Sequence, residues 1–235
     1  MASLLDRTVD LASQLWLRDA TAAEVERLGP SFTRIALEGE ALRGVSWTPG
    51  AKVQVHMGGL TYRTYTPTAW DPDAGTTELL ACDHGDGPGS AWVRTVAPGD
   101  PVGLFGPRGS LGLDKVSGRT IVVGDETSIA LAVALGTVAA AEPVERIFEA
   151  TDPDATVEVL AAVGLDRATV VPVGARDDLT AVLLDRLDAP GSTTLVLTGD
   201  QATVKHVRAA LRAADVRPAR TLAKAYWAEG RTGLD

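Results

Sequence analysis

Residues 119–125 read RTIVVGD, and the segment from Thr127 to Ala141 then carries apolar side chains at helical spacing. A continuous apolar run is typical of a strand that is buried on both faces of a parallel sheet. The same alternation of strand and helix recurs as VERIFEA with ATVEVLAAVG, ATVVPV with DLTAVLLDRL, and TTLVLTGD with ATVKHVRAALRAA. The four strand and helix pairs predict a C-terminal α/β domain with a parallel sheet wound by right-handed crossovers.

The first half of the chain has a different period. Short runs that alternate between apolar and polar residues are separated by turn residues, which predicts a six-stranded antiparallel β-barrel. The period changes near Gly118, so we expect an N-terminal arm over 1–20, a barrel domain over 21–117 and the α/β domain over 118–235. The predicted barrel strands are Ala23–Leu28, Ser31–Leu37, Lys52–Met57, Thr61–Thr68, Thr77–Asp83 and Pro101–Phe105.

The composition is that of a globular protein with an acidic balance. Of the 235 residues, 45% are hydrophobic and 23% are charged, and 22 basic against 31 acidic residues give a formal net charge of −9. A field of this sign repels the phosphate backbone of nucleic acids and anionic membrane surfaces. We therefore expect neither nucleic acid nor membrane insertion among the partners of this protein.

The single cysteine and the charged residues of the opening segment indicate the cellular compartment. Cys82 is the single cysteine, which excludes an internal disulfide, a CxxC pair, a zinc ribbon and a chain-ligated iron–sulfur cluster. The opening segment MASLLDRTVDLASQLWLRD is interrupted by charged residues and lacks the apolar core of a secretion signal. The longest apolar stretch, Ile129–Ala141, is too short to span a bilayer. These features predict a cytoplasmic protein.

The segment TYRTYTPT at 61–68 suits a flavin. In a strand Arg63 and Tyr65 share one face, so a cation lies beside an aromatic plane. A flavin needs a flat surface for its ring, a cation for its phosphate and a hydrogen-bonding group near its redox-active nitrogen. Thr66 can be that group only if the strand bends, which Pro67 favours. A surface Arg–Tyr pair is the alternative.

The segment HGDGPGSAW at 84–92 suits a pyrophosphate. Gly85, Gly87 and Gly89 leave the backbone open to close approach, and Ser90 can cap a helical turn that follows. The N–H groups at the start of a helix form an anion site, and FAD carries a pyrophosphate whereas FMN does not. A surface loop with a packed Trp92 is the alternative.

With these motifs the sequence resembles the siderophore-interacting proteins, which are FAD-dependent ferric-siderophore reductases among the ferredoxin reductase-like flavoproteins. The resemblance extends over nearly the whole chain. It rests on six motifs in a specific order: RTYT at 63–66, HGDGPGSAW at 84–92, FGPRGS at 105–110, GDETS at 124–128, TGDQ at 198–201 and AYWAEG at 225–230.

The resemblance implies roles for particular residues. Arg63 holds a flavin phosphate oxygen, Tyr65 stacks on the isoalloxazine and Thr66 hydrogen-bonds near its N5, so that Tyr65 and Thr66 are the candidate catalytic residues. Many members have a second Arg where this chain has Thr68, which places the contacts of that Arg in doubt. The pyrophosphate and adenine shell comprises His84, Gly87, Pro88, Ser90 and Trp92, and the terminal aromatic residues that approach the flavin side are Tyr226 and Trp227.

The second domain is expected to bind the electron donor, NADH or NADPH. The GDETS segment carries two carboxylates that either cap the helix or repel a pyrophosphate; by the resemblance, Thr127 and Ser128 contact the nucleotide. The side-chain charges expected around the adenosine give opposite indications, because Glu149 and Asp152 disfavour a 2′-phosphate whereas Arg176 attracts one. A basic helical stripe is either a phosphate or chelate anchor or a solvated face; it consists of Lys205, Arg208 and Arg212.

The sequence therefore predicts an FAD-dependent oxidoreductase that takes a hydride from NAD(P)H and reduces a ferric siderophore, so that ferrous iron is released. The three histidines and the acidic residues show no metal-ligand spacing, so iron is expected to arrive inside its chelator. One alternative keeps FAD but changes the acceptor, for example within a biosynthetic pathway. A second alternative is a non-enzymatic flavin-binding or chelate-binding module.

Overall fold

The computed structural model describes residues 17–138, 143–187 and 193–230. It divides into two compact units, of which the first ends at Gly112 and the second begins at Leu113. The larger part of the predicted arm, residues 1–16, lies outside the described residues, and Arg18 already belongs to the first strand.

The first unit is an antiparallel sheet with one α-helix inserted before its last strand. The sheet order is β4-β3-β7-β1-β2-β6-β5. The elements are β1 (Arg18–Leu28), β2 (Phe32–Glu38), β3 (Lys52–His56), β4 (Tyr62–Tyr65), β5 (Pro67–Asp71), β6 (Thr76–Cys82), α1 (Pro88–Thr95) and β7 (Pro101–Arg108).

The predicted strand Thr61–Thr68 is divided at Thr66 into β4 and β5, so the sheet has seven strands where six were expected. Pro67 has no N–H group to donate to a ladder, which favours a break at this point. Because β4 and β5 lie at opposite ends of the strand order and only Thr66 joins them, the sheet must curve until its two ends meet. The bend that the proposed role of Thr66 requires is therefore present.

The core of the first unit consists of the inward-facing aliphatic side chains of these strands, completed by residues of α1. Several aromatic residues pack against this core while one part of each stays accessible, which leaves rings at the rim of the sheet. The partly buried aromatic residues are Tyr65, Trp70 and Trp92.

The second unit is the expected parallel α/β domain, and all four predicted strand and helix pairs are confirmed. The first helix is preceded by a 3₁₀ turn at Glu126–Ser128, and part of its predicted range, 139–142, lies outside the described residues. The elements are β8 (Thr120–Asp125), α2 (Ile129–Leu135), β9 (Val144–Ala150), α3 (Pro153–Ala162), β10 (Thr169–Pro172), α4 (Arg176–Arg186), β11 (Thr194–Asp200), α5 (Gln201–Ala213) and β12 (Arg220–Trp227).

The sheet order is β10-β9-β8-β11-β12, with all neighbours parallel. The edge strand β12 was not among the predicted strands, because RTLAKAYW is only partly buried and lacks the continuous apolar run of the inner strands. From β8 the chain winds to one edge through β9 and β10, and then crosses to β11 on the other side. The switch point, where ligands bind in such folds, thus lies between the carboxyl ends of β8 and β11.

The amino-terminal edge of the same sheet is held by an ionic network. The Arg119 guanidinium donates to Glu145 Oε1 at 2.8 and 3.0 Å and to Thr193 Oγ1 at 3.2 Å. This network lies at the opposite edge from the switch point, and its members serve a structural role. In the described part of the chain, no helix is both long and apolar enough to cross a membrane.

Candidate functional site

Strand β4 and helix α1 bring the two predicted flavin motifs together. Arg63 and Tyr65 pair with Val55 and Val53 of β3, and both are half-buried. A Cβ atom placed on Gly89 of α1 would lie 3.1 Å from Arg63 Cγ and 3.2 Å from Tyr65 Oη. The helix therefore lies directly against the face of β4 that carries both side chains.

Gly89 is the residue that permits this approach. At 3.1 to 3.2 Å a Cβ would be tighter than ordinary side-chain contact, so any larger residue must displace Arg63 or the Tyr65 phenol. Gly89 is buried, and its N–H precedes the hydrogen-bond ladder of the helix, where an anion can accept it. The cation, the ring and the helix N-terminus thus form one groove whose chemistry fits FAD, with cationic and N–H donors for phosphate and an aromatic surface for a ring.

The start of α1 differs in one detail from the expectation. Gly87 is the N-cap, with φ −74° and ψ 166°, and Pro88 is the first helical residue. Ser90 is inside the helix and 6% exposed, so the prediction that Ser90 caps the helix was wrong. Pro88 has no N–H, and the first backbone bond runs from Ala91 to the Gly87 carbonyl at 3.0 Å. The N–H groups of Gly89 and Ser90 precede this ladder, which is where an anion binds a helix.

Two arginines fix the glycine loop and its helix. Arg94 donates to both carboxylate oxygens of Asp83 at 3.0 Å and to the Gly85 carbonyl at 3.2 Å. Arg27 of β1 donates to carbonyl oxygens at the carboxyl end of α1, those of Val93, Arg94 and Val96. The N-terminus of α1 is therefore held in place before any ligand binds.

Arg63 and Tyr65 have the electrostatic character that their proposed roles need. Arg63 Nη1 donates to the Tyr62 carbonyl at 2.7 Å, and within the described residues this is its single side-chain hydrogen bond. Its other N–H groups are available to a phosphate. Burial raises the pKa of the Tyr65 phenol well above its usual range, although the charge of Arg63 acts in the opposite direction. Tyr65 thus stays a neutral ring with an O–H donor.

The remaining predicted residues of this motif pair lie around the groove. The Trp92 ring is 5.5 Å from the Tyr65 ring at an interplanar angle of 55°, and it is half-buried. Thr66 is half-buried at the junction of β4 and β5. The exposed residues at the open end of the loop are His84, Gly87 and Pro88.

Thr68 marks the departure from the family pattern. The residue is 3% exposed, and its hydroxyl donates to Glu78 Oε1 of β6 at 2.7 Å. It is therefore engaged within the sheet, and the second Arg expected here from the resemblance is replaced by a buried hydroxyl.

In the second unit, the GDETS segment turns its first carboxylate inward. Asp125, the last residue of β8, is 2% exposed and accepts hydrogen bonds from Thr127, Asp200 and Trp227. Glu126 accepts from the backbone N–H of Thr151. These carboxylates organise the turn, which agrees with the capping interpretation rather than with repulsion of a pyrophosphate.

Thr127 and Ser128, the two hydroxyl residues of this turn that were predicted to contact the nucleotide, differ in their burial. The Thr127 hydroxyl donates to Asp125 Oδ1 at 2.5 Å, and Thr127 is half-buried. Ser128 is fully buried, and its oxygen accepts from Thr198 Oγ1 at 2.8 Å. Ser128 therefore offers no surface to a nucleotide in this conformation, and we keep only Thr127 among the proposed nicotinamide contacts.

The charged groups at the ends of β9 and β10 are engaged as well. Glu149 is 2% exposed and accepts from the Thr203 hydroxyl, and Asp152 caps α3 through the Ala155 N–H at 3.1 Å. Arg176 pairs with Asp200 at 3.0 Å and donates to Thr203 Oγ1 at 2.8 Å. The three charged residues that gave opposite indications for the adenosine are thus bonded largely to other groups of the protein.

The terminal aromatic segment forms the end of β12. Tyr226 is half-buried and Trp227 is 38% exposed, with its indole Nε1 donating to Asp125 Oδ2 at 2.7 Å. The sequence offered no signal for this bond, because its partners lie 102 positions apart. The basic stripe Lys205, Arg208 and Arg212 is exposed on α5. The described residues contain no group of three or more His, Cys, Asp or Glu that could hold a metal ion.

Glu149 provides a test of this network. Burial raises its pKa, with the charges of Asp125 and Asp200 adding to the effect, and Oε2 has no hydrogen-bond partner among the described residues. A carboxyl whose pKa is higher in the folded than in the unfolded state makes the folded protein less stable when it ionises. The stability of the protein therefore falls as pH rises from the unfolded-state pKa to the raised folded-state pKa. We therefore expect Glu149→Gln to be more stable than wild type at pH 8, with a smaller difference at pH 5.

Urea unfolding of both proteins at the two pH values measures this difference. Glu158→Gln, at an exposed position of α3, is the control and should change stability little at either pH. An equal stability difference for Glu149→Gln at pH 5 and pH 8 would contradict a raised pKa.

An antiparallel sheet followed by a parallel α/β domain is the ferredoxin reductase-like fold. A ferredoxin NADP+ reductase from Neisseria gonorrhoeae with bound FAD and NADP shares this fold. Its TM-score is 0.70 at 16% identity, with 90% of this chain and 99% of that chain covered.

Two family models give the particular assignment. The siderophore-interacting FAD-binding domain matches residues 57–111, and the siderophore-interacting protein model matches residues 118–230. The chain belongs to the siderophore-interacting protein family and contains its FAD-binding domain. The resemblance inferred from the motifs is confirmed.

Two relatives cover almost the whole chain. The NADPH-dependent ferric-chelate reductase of Escherichia coli (strain K12) is 27% identical in an alignment of 252 positions, which covers 92% of this chain and 94% of that protein. A siderophore utilization protein from T. fusca has a TM-score of 0.76 at 23% identity, with 93% of this chain and 95% of that chain covered.

Proposed function

We propose that this protein reduces ferric siderophores with electrons from NADH or NADPH, so that weakly held ferrous iron is released. The observation that carries the proposal is the close approach of Gly89 to both Arg63 and Tyr65, which leaves little room for a Cβ, because it brings a cationic side chain, a ring surface and a helix N-terminus together. The curated relative from Escherichia coli is named as a reductase of ferric chelates that depends on NADPH.

FAD, when bound, accepts electrons in pairs from a nicotinamide and can pass them singly to an acceptor such as ferric iron. The residues of this chain bind and orient it. Arg63 is placed to donate to a phosphate, and the N–H groups of Gly89 and Ser90 to receive the pyrophosphate. Tyr65, supported by Trp92, is placed to cover one face of the ring and exclude water there.

Thr66 is the candidate for control of the ring itself. It stands at the bend between β4 and β5, outside both ladders, so its side chain is not confined to the alternation of a strand. We propose that its hydroxyl donates near the redox-active nitrogen of the flavin. The siderophore supplies the ligands of the iron, and the lone Cys82 suits a reducing compartment such as the cytoplasm.

The nicotinamide is proposed to bind at the switch point of the parallel sheet. There the turn after β8 presents the half-buried Thr127, and Trp227, which is 38% exposed, adjoins it through Asp125. Binding sites of parallel α/β sheets lie at this position.

A second candidate function keeps the FAD and changes the acceptor. It is favoured by Thr68, which is buried against Glu78 at the position where the resemblance leads us to expect a second Arg. An anionic siderophore would then lose one attractive contact.

Anaerobic stopped-flow reduction tests the proposal. FAD-loaded protein is mixed with NADH or NADPH, and the flavin absorbance is followed until it bleaches; a ferric siderophore is then added together with a chromogenic ferrous chelator. We expect bleaching by at least one nucleotide, and reoxidation by the ferric siderophore that is faster than by dioxygen. Reoxidation no faster than by dioxygen favours the second candidate, and no bleaching by either nucleotide contradicts both.

Tyr65→Ala tests the ring surface. We expect FAD to bind about fivefold more weakly, because an aromatic stacking contact contributes roughly 1 kcal/mol. Flavin fluorescence quenching on titration into apoprotein measures the dissociation constant. Tyr65→Phe keeps the ring and is the matched control, with affinity expected near that of wild type; equal affinity for Tyr65→Ala and wild type would place the ring elsewhere.

A further inference from the structure

We infer that Asp125 is the positioning residue of the nicotinamide half of the site, because its carboxylate holds together the three segments that border the switch point. This inference rests on the proposed function. The three segments are the GDETS turn after β8, the TGD turn at the end of β11 and the end of β12.

The hydrogen bonds of Asp125 divide between its two oxygens. Oδ1 accepts from the Thr127 N–H at 2.9 Å and from the Thr127 hydroxyl at 2.5 Å. Oδ2 accepts from the Asp200 N–H at 2.8 Å and from Trp227 Nε1 at 2.7 Å. The residue is 2% exposed, so within the described residues these donors form its surroundings.

All four partners are donors, and this determines what the position can hold. A backbone N–H and an indole N–H can only donate, and the Thr127 hydroxyl directs its proton to the carboxylate. An ionised carboxylate suits these four donors because it accepts on both oxygens and has no proton to donate. An amide in the same place turns an NH₂ group toward two of these donors, so Asp125→Asn removes about half of the network without changing the size of the side chain.

The backbone at Gly199 packs tightly against the Asp125 carboxylate. A Cβ on Gly199 would lie 2.6 Å from Asp125 Cγ and Oδ2. The β11 end thus approaches Asp125 as closely as a glycine allows, and this contact fixes the Asp200 N–H against Oδ2.

The position of these segments gives the carboxylate its role. Asp125 and Asp200 end the two strands that flank the switch point, where a nicotinamide nucleotide is proposed to bind. Asp125 itself is buried and does not face the nucleotide. It acts through the Thr127 turn and Trp227, which are partly exposed, and through the buried Asp200 N–H, which fixes the end of β11.

The test uses the FAD-loaded protein and the anaerobic reaction with NADH or NADPH. For Asp125→Asn we expect the nucleotide dissociation constant to rise about tenfold, as for the loss of a charge-assisted hydrogen bond, with a smaller change in the limiting rate of flavin bleaching. The fluorescence that is lost in Trp227→Phe reports on the indole, and in Asp125→Asn the emission maximum of this component should change as the indole loses its charged acceptor.

Trp227→Phe removes one donor at an accessible sheet edge and carries the test if Asp125→Asn does not fold; a threefold or larger rise of the dissociation constant is expected. Glu145→Gln is the matched control, because it removes a carboxylate bound by Arg119 at the opposite edge of the sheet and should leave nucleotide affinity unchanged. If nucleotide bleaches the flavin of the wild-type protein, and both Asp125→Asn and Trp227→Phe bind nucleotide with wild-type affinity, the inference about Asp125 is wrong but the proposed function stands. Wild-type protein that no nucleotide bleaches would overturn the proposed function, and the inference with it.

Discussion

Replacing Arg63 by alanine is expected to weaken FAD binding by about ten- to a hundredfold. Arg63 is half-buried, the aliphatic part of its side chain lies beside Gly89 at the N-terminus of α1, and one guanidinium N–H is fixed on the Tyr62 carbonyl. A charge-assisted phosphate contact contributes roughly 1.5 to 3 kcal/mol, and about 1.4 kcal/mol corresponds to a factor of ten. Titration of apoprotein with FAD, followed by flavin fluorescence, measures the change.

Arg43→Ala is the control for this substitution. Arg43 belongs to the same unit, but its guanidinium pairs with Glu40 at 3.0 Å and contacts the Asp73 carbonyl. Its removal should leave FAD affinity within about twofold of wild type, as expected for a surface ion pair. Equal FAD affinity of Arg63→Ala and Arg43→Ala would show that the phosphate does not bind at Arg63.

Gly199→Ala is expected to destabilise the second unit by roughly 3 to 5 kcal/mol. Gly199 has φ +94°, a conformation that disfavours any side chain, and its Cβ would collide with the Asp125 carboxylate at 2.6 Å. Relief of this collision requires Asp125 to leave its donors, so the cost of buried N–H groups without partners adds to the backbone strain. Urea unfolding followed by helical circular dichroism measures the loss, because most described helices belong to this unit.

Gly174→Ala separates the two contributions. Gly174 has φ +92° in the same unit, but a Cβ there would meet nothing within 4 Å. Its substitution should therefore cost only the backbone strain of about 1 to 2 kcal/mol. If both variants lose the same stability, the close approach to Asp125 contributes nothing and the tight packing of the carboxylate is wrong.

Periodicity predicted most of the fold. The inner strands of the second unit are continuous apolar runs because helices cover both faces of a parallel sheet, and such runs can be read from sequence. Strand β12 escaped prediction since it is an edge strand with charged residues at Arg220 and Lys224. The division of the barrel strand at Thr66 depends on Pro67, whose effect on the ladder can be anticipated but whose outcome depends on the curvature of the sheet.

The flavin groove of the first unit could be predicted from the sequence more fully than the proposed nicotinamide site of the second unit. In the first unit, Arg63 and Tyr65 share a strand face and the glycines precede a helix, so local patterns suggested a flavin groove before any contact was known. In the second unit it was the family resemblance that assigned Ser128 to the nucleotide, whereas the structure buries this residue. The bonds that organise this region join Asp125 to residues 75 and 102 positions away, and no local pattern indicates such pairs.

The central claim is that FAD binds in the groove between β4 and the N-terminus of α1. A crystal structure of the protein with FAD tests it most directly. We predict that the isoalloxazine lies against Tyr65, a phosphate contacts Arg63, and the pyrophosphate accepts from the N–H groups of Gly89 and Ser90. An FAD molecule bound elsewhere, with this groove filled by side chains of the protein itself, would contradict the claim.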